Sequence, residues 1–140
     1  MAFLSAAATV LYRYPVLQLR FYVKGEEIRR STPYVLIANN EHAMEGWNLG
    51  TRRNLTEGKL WIYVLRPKGR AGLLKLMLSF LAGRFSAKDD FEIFSAEEIW
   101  VDAKRKRVGV ALDGEVTIME APLRYRTLPK ALKVIVPSQS

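Results

Sequence analysis

The residues best suited to chemistry lie in the segment Asp113-Gly114-Glu115, where two carboxylates stand two positions apart. Apolar residues recur in the runs on either side, residues 108–112 and 116–120. Asp-Gly between two such runs predicts a β-hairpin, because glycine accepts the positive φ that a tight turn requires. A positioned carboxylate can accept the proton of a substrate hydroxyl, as phosphoryl transfer requires. On pattern alone, a plain hairpin with solvated carboxylates is the default interpretation.

The sharpest basic cluster is the run Lys104, Arg105, Lys106 and Arg107. The whole chain has a formal net charge of +8, which favours anionic partners such as phosphates, anionic lipid headgroups or nucleic acid. The cluster has two interpretations. It is either a solvated turn or an electrostatic contact with anionic lipid, in which each basic residue near the surface contributes about 1 kcal/mol.

Composition excludes or disfavours several kinds of site. The chain contains no cysteine, which excludes disulfides, thiolate metal sites and cysteine catalysis, and which fits a reducing compartment. The single histidine, His42, has no evident partner for a catalytic dyad or a zinc site and is interpreted as a surface residue. No glycine-rich phosphate-binding loop is present, since the two glycines of residues 69–72 are a weak match. No apolar run approaches the roughly 20 residues that span a bilayer, so a soluble protein is expected.

The pattern of apolar residues predicts a mainly β (α+β) fold in one domain, residues 1–140. Short β-prone runs separated by turn residues predict antiparallel sheets packed as a sandwich. The predicted strands cover residues 17–24, 26–30, 34–38, 59–65, 91–94, 98–103, 108–112, 116–120 and 131–136. Residues 41–58 show no apolar period and are predicted to be a long polar loop, which at that length is more often functional than filler.

One substantial internal helix is predicted over residues 70–84, preceded in the chain by a short N-terminal helix within residues 2–11. The N-terminal run lacks the basic region of a signal peptide. The internal helix carries an apolar stripe at 3.6-residue spacing, formed by Leu74, Met77, Leu78, Leu81 and Phe85 and widened by Leu73, Leu76 and Phe80. This stripe is expected to face the core, and its width would let one side contact acyl chains.

Residues 108–116 and the closing segment 128–137 resemble the carboxy-terminal end of the diacylglycerol kinase-like lipid kinases, a group that includes bacterial diacylglycerol kinases and sphingosine kinases. The similarity extends from about residue 15 to residue 137 and includes the segment 32–40. It covers the second, lipid-binding domain of these enzymes. Their first domain, with its Gly-Gly-Asp-Gly-Thr nucleotide-binding loop, has no counterpart here, so the resemblance implies that ATP is bound mainly by a domain absent from this chain.

The resemblance implies roles for individual residues. In the family, the Asp-Gly-Glu turn faces the phosphoryl-transfer cleft and supplies the proton acceptor, so Glu115 is the first choice for that role and Asp113 the second. A second segment implies a structural Mg²⁺ site, in which Glu57 would give its carboxylate and Asn54 and Lys59 their carbonyls. Magnesium prefers oxygen ligands and usually retains several waters, so such a set is chemically sufficient.

This sequence departs from the family pattern at two places around the implied cleft. Glu57 stands where aspartate is usual, and two arginines just upstream oppose a cation, so an ordinary turn is the alternative for this segment. Trp47 lies in a stretch that is glycine-rich in the family. Asn39 and Asn40 end a strand nearby and are expected either to line the cleft or to act as simple turn formers.

The leading hypothesis is the lipid-binding and part-catalytic C-terminal domain of an ATP- and Mg²⁺-dependent kinase that phosphorylates a lipid hydroxyl. The hydrophobic space between sheets and helix would admit the acyl chain, and residues 104–107 would contact an anionic membrane. One alternative is a non-catalytic lipid-binding module that has lost kinase activity. A basic nucleic-acid-binding domain ranks last, because no basic-aromatic motif supports it. The expected location is the cytoplasm, with peripheral binding at the inner face of the membrane, and the chain alone is expected to be inactive.

Overall fold

The computed structural model describes residues 12, 16–39, 42–45, 48–52, 58–66, 69–84, 86–128 and 131, with the backbone alone described at residues 42–45, 48–52 and 87. The strands are β1 Leu17–Val23, β2 Glu26–Thr32, β3 Val35–Ala38, β4 His42–Glu45, β5 Asn48–Arg52, β6 Leu60–Leu65, β7 Phe91–Ala96, β8 Glu98–Ala103, β9 Arg107–Leu112, β10 Glu115–Glu120 and β11 Leu123–Arg126. The helices are α1 Gly69–Leu81 and α2 Ala87–Asp90. The predicted N-terminal helix lies outside the described residues, as does the predicted strand at residues 131–136 apart from Ala131.

Two antiparallel sheets form the body of the domain. Sheet 1 has the strand order β11-β8-β1-β2, and sheet 2 has the order β3-β6-β7. Every pairing within them is antiparallel, as in the match of Phe21 in β1 with Val101 in β8. The inner faces of the two sheets share one hydrophobic cluster, in which the rings of Phe21 and Phe94 meet edge to face with centroids 5.8 Å apart. The predicted antiparallel sandwich is therefore confirmed.

The central strand of sheet 2 is buried on both of its faces. Leu60, Ile62 and Val64 in β6 point into the cluster between the sheets. The intervening Tyr63 and Leu65 belong to a second cluster on the other side of sheet 2. Burial on both sides explains why the sequence of β6, LWIYVL, is a continuous apolar run rather than an alternating one.

Helix α1 covers the outer face of sheet 2, and its packing face differs from the predicted one. Leu73, Leu76 and Phe80 pack against the second cluster, while no residue of α1 is fully buried. Members of the predicted core stripe, among them Leu74 and Leu78, instead face solvent. The stripe prediction was wrong because leucines occupy nearly the whole circumference of this helix, so periodicity alone could not select the packed side.

The end of α1 lies three residues before the predicted end. Gly83 adopts a positive φ of 67°, its N–H donates to the Phe80 carbonyl at 3.0 Å, and the Arg84 N–H donates to the Ser79 carbonyl at 2.8 Å. This pair of hydrogen bonds around a left-handed glycine is a Schellman cap, which ends the helix.

Two strand assignments correct the sequence prediction. The segment at residues 41–58 contains the antiparallel hairpin of β4 and β5, and a register shift between Ala43 and Met44 removes the period-2 pattern that would have revealed it. Strand β11 was missed because Pro122 and Pro129 flank it and indicated a turn. Its alternation of Leu123 and Tyr125 with two arginines is a strand signal, and it forms the edge of sheet 1.

Candidate active site

The Asp-Gly-Glu segment closes the hairpin of β9 and β10, as predicted. Asp113 and Gly114 have φ values of 50° and 87°, and Glu115 pairs across the strands with Leu112. Positive φ at both central residues is the signature of a type I′ turn, whose twist matches that of the flanking strands. The turn therefore fixes the position of Glu115 relative to Leu112.

The two faces of this hairpin carry different side chains. Residues paired directly across antiparallel strands share a face, so Glu115 lies on the same side as Leu112 and the alternate residues Val108 and Val110. Val116 and Ile118 lie on the other side, above Gly109. A Cβ added to Gly109 would be 3.6 Å from Val116 Cγ1, which confirms that assignment. Glu115 and the valines of β9 thus form one face, and Val116 and Ile118 the other.

A largely apolar cavity of about 310 Å³ opens between the sheets and the hairpin. Its lining comes from β1 and β8 in sheet 1, from β3 in sheet 2, from β11 at the sheet edge and from β9. Typical lining side chains are Leu19, Ile37, Val101, Val110 and Leu112. Cavities of about 300–1,000 Å³ with mainly hydrophobic walls are typical of small-molecule sites. The size and chemistry therefore suit a short apolar chain.

Glu115 is the cross-strand neighbour of a residue that lines this cavity, and its own side chain is not part of the lining. Leu112 lines the cavity, and directly opposed residues have Cβ atoms about 5 Å apart. Both Glu115 and Asp113 are exposed, and within the described part of the chain neither carboxylate forms an ion pair. An unpaired carboxylate beside an apolar cavity is available to accept a proton from a group presented by the cavity's occupant.

The space beside α1 is much smaller. The cavity lined by Gly72, Leu73 and Leu76 has a volume of about 10 Å³, too little for a lipid chain. This cavity beside α1 therefore offers no room for the acyl chain expected between sheets and helix, and the binding of an acyl chain stays a prediction.

Tyr125 is a cavity residue that the sequence analysis did not single out. It lies on β11 and packs against the cluster between the sheets, and burial raises the pKa of its phenol above the ordinary value. The phenol is therefore protonated at neutral pH and can donate a hydrogen bond inside an otherwise apolar lining. The alternation within β11 was the signal that would have found it.

The basic run connects sheet 1 to the hairpin. Lys104, Arg105 and Lys106 form the turn after β8, and Arg107 is the first residue of β9. All four side chains are exposed, and none forms an ion pair with an acid among the described residues. The turn prediction is confirmed, and the contact with anionic lipid stays a prediction.

Arg30 and Arg124, two arginines on the sheets, are paired with glutamates. Arg30 of β2 holds Glu92 of β7 through two contacts of 2.7 Å, which joins the edges of the two sheets. Arg124 contacts Glu98 at 2.9 and 3.0 Å while its guanidinium lies 5.2 Å from the ring centroid of Trp100. These hydrogen bonds to arginine hold the pKa values of Glu92 and Glu98 below the ordinary glutamate value. Their charge is thus offset locally, unlike that of residues 104–107.

The other predicted site residues are only partly described. Asn39 is exposed and follows β3, whose residues 35–37 line the cavity, and Lys59 is exposed just before β6. Asn40, Asn54 and Glu57 lie outside the described residues, so the implied Mg²⁺ site stays a prediction. Among the residues that are described, no group of three or more His, Cys, Asp or Glu side chains could hold a metal ion.

No described helix is both long and apolar enough to cross a membrane.

Comparison with solved structures shows the same fold. One is "A putative diacylglycerol kinase from Bacillus anthracis str. Sterne", which is 16% identical with a TM-score of 0.57, the alignment covering 88% of this chain and 41% of that one. Another, a diacylglycerol kinase from the same organism, is 17% identical with a TM-score of 0.54 and the same coverage. This chain therefore spans about two-fifths of the length of these structures.

A comparison with protein families gives a match over residues 1–136 to the YegS C-terminal NAD kinase beta sandwich-like domain. The match confirms the resemblance to diacylglycerol kinase-like proteins drawn from the hairpin and the closing segment. Because it covers nearly the whole sequence, the chain belongs to the family of YegS C-terminal NAD kinase beta sandwich-like domains.

Proposed function

We propose that this chain is the lipid-binding and part-catalytic domain of an ATP-dependent lipid kinase, which transfers a phosphoryl group to a lipid hydroxyl. The observation that carries the proposal is the apolar cavity of about 310 Å³, which is lined by Leu112, the cross-strand neighbour of Glu115. An acyl chain held in the cavity would bring its polar head to the turn of the hairpin, where the carboxylate lies. The two solved structures of the same fold that are named as diacylglycerol kinases support a lipid as the substrate.

In the proposed reaction the lipid hydroxyl gives its proton to the Glu115 carboxylate as its oxygen bonds to the γ-phosphorus of ATP. The bond from that phosphorus to the β–γ bridging oxygen breaks, and ADP leaves. Asp113 is the second choice for the proton acceptor. It lies in the same turn, two residues before Glu115.

ATP would be bound mainly by a separate domain, in keeping with the two-fifths of the related structures that this chain covers. A Mg²⁺ ion supplies charge neutralisation on phosphate oxygens in phosphoryl transfer. A second, structural Mg²⁺ would be held in this chain by the carboxylate of Glu57 and the carbonyls of Asn54 and Lys59. We place the protein at the inner face of the cytoplasmic membrane, where residues 104–107 would contact anionic headgroups.

The test is lipid phosphorylation by the natural polypeptide that carries this domain. Glu115→Gln should lower the turnover number by about 10²–10⁴ because removal of a general base typically has that effect. Glu120→Gln is the matched control, since Glu120 ends the same strand, is also exposed and lies on the opposite face. It should retain the wild-type rate.

Three outcomes decide the proposal. If Glu115→Gln phosphorylates lipid at the wild-type rate, Glu115 is not the proton acceptor. If Asp113→Asn does so as well, the turn supplies no catalytic group. A wild-type protein that binds lipid but phosphorylates none in the presence of ATP and Mg²⁺ would establish the non-catalytic lipid-binding module instead.

The proposed role of residues 104–107 has its own test. Attraction between these residues and an anionic surface is screened within about 10 Å at 0.1 M salt, so binding to anionic vesicles should weaken as salt rises. Neutralising all four residues should remove part of that salt dependence. Unchanged salt dependence in the neutralised variant would leave the run as a solvated turn.

A further inference from the structure

Helix α1 presents a line of leucines to solvent. Leu74, Leu78 and Leu81 are 46%, 57% and 56% exposed, although leucine side chains are usually buried. Their spacing of four and three residues places them one above the other on a single side of the helix. The side that packs on sheet 2 is already occupied by Leu73, Leu76 and Phe80. The three exposed leucines, called here the leucine ridge, therefore do not serve the core of the domain.

The segment that carries the leucine ridge is basic. Residues 69–88 contain Arg70, Lys75, Arg84 and Lys88 and no acidic residue, the next acids being Asp89 and Asp90. All four basic side chains are exposed, and none has an ion-pair partner among the residues that the structure describes. An apolar ridge bordered by unpaired positive charge complements a surface whose outer layer is negatively charged and whose interior is apolar.

We infer that the leucine ridge of α1 inserts into the interfacial layer of a membrane that contains anionic phospholipid. An amphipathic helix lies in the plane of the interface when its apolar side enters the acyl boundary and basic residues border it. Helix α1 has 13 residues and is about 20 Å long, too short to cross a bilayer core of about 30 Å. It would lie along the membrane, with sheet 2 behind it as a rigid support.

This contact differs from the one proposed for residues 104–107. That run carries charge without apolar side chains, so its binding should vanish at high salt. The leucine ridge adds burial of apolar surface, which salt does not screen. The inference does not need the kinase assignment, because a domain without catalytic activity would still bind membranes through this helix.

The chain contains no cysteine, which allows a direct test by labelling a single introduced thiol. In the Leu78→Cys variant, an environment-sensitive nitrobenzoxadiazole dye is attached to the introduced thiol, which places the dye on the ridge. Leu128→Cys, at a leucine that is 63% exposed outside the helix, is the matched control. With vesicles of phosphatidylcholine and phosphatidylglycerol, the dye at position 78 should shift to shorter wavelength and brighten several-fold, while the dye at position 128 should not respond.

Vesicle co-sedimentation at high salt completes the test. Leu74→Ser together with Leu78→Ser should weaken binding by about ten-fold for each leucine removed, whereas Leu128→Ser should bind as the wild type does. Bound protein whose dye at position 78 stays unchanged would overturn the inference in favour of residues 104–107. A dye that responds to an added protein domain but not to vesicles would overturn it in favour of a protein partner.

Discussion

Strand β6 and the hairpin of β9 and β10 differ in what surrounds them. Strand β6 pairs with β3 on one side and β7 on the other, and both of its faces are covered. Among the described residues, the hairpin strands pair only with each other, and every residue of β10 is exposed. Ile62 in β6 is 0% exposed, whereas Ile118 in β10 is 57% exposed.

The contrast separates the part of the domain that provides stability from the part available for function. Burial of apolar surface is the main favourable term in folding, and β6 contributes it on two faces. The hairpin buries little apolar surface, so its residues can serve ligand binding at a small cost in stability. Strand β9 of the hairpin lines the cavity, and β10 presents Val116 and Ile118 to solvent.

The largest expected effect on stability compares two isoleucines. Ile62→Ala should lower the free energy of unfolding by about 2–5 kcal/mol, because it leaves a cavity in the core. Ile118→Ala should lower it by about 1 kcal/mol or less, since the side chain is already exposed and only strand preference is lost. Urea unfolding of both variants measures the difference, and equal losses would show that the hairpin is part of the cooperative core.

A smaller effect is expected from two glycines of the hairpin. Gly114 has a φ of 87°, which an alanine adopts with strain, so Gly114→Ala should lower the free energy of unfolding by about 1–2 kcal/mol. Gly109→Ala should raise it by up to about 1 kcal/mol, because an added Cβ would meet only ordinary contacts and reduce unfolded-state freedom. Thermal unfolding decides the signs. A stabilising Gly114→Ala would contradict the type I′ turn.

The smallest effect concerns the ion pair that joins the two sheets. The Arg30 hydrogen bonds lower the pKa of Glu92 in the folded state. The pair therefore contributes stability that is present above the unfolded glutamate pKa of about 4.3 and is lost as pH falls through the lower folded value. Glu92→Gln should reduce the slope of stability against pH in that acid window.

Glu27 and Glu98 also have lowered pKa values, so part of the slope should survive in Glu92→Gln. Glu97→Gln is the control, because Glu97 is exposed and has no ion-pair partner among the described residues. Unfolding curves measured at several acidic pH values make the comparison. A slope that is the same in Glu92→Gln and the wild type would mean that the pair does not help to hold the sheets together.

Sequence patterns predicted the sandwich because its strands have an inner face. The alternating positions of Leu19, Phe21 and Val23 in β1 predict that these three side chains point to the same face of the strand. The continuous apolar run of β6 predicts a strand that is buried on both faces. The Asp113-Gly114 turn was equally predictable, since few residue pairs accept two positive φ values. The β4–β5 hairpin was not, because its register shift breaks the alternation.

The candidate site was predictable only in part. The turn indicated Glu115, but no local pattern tells that Val110 and Tyr125, which are far apart in the chain, line one cavity. Such a cavity arises from how the sheets and the hairpin are placed, which is a property of tertiary packing. For the same reason, the sequence could not tell which side of the leucine-rich helix α1 would be left exposed.

The most direct test of the account is the binding of a short-chain diacylglycerol to this 140-residue chain, measured by titration calorimetry. Val110→Phe places a larger side chain in the cavity, and Val116→Phe makes the same change on the opposite face of the hairpin. The account predicts that Val110→Phe weakens binding by about ten- to a hundred-fold and that Val116→Phe leaves it unchanged. Wild-type affinity in Val110→Phe, with the hairpin intact, would contradict the placement of the lipid in this cavity.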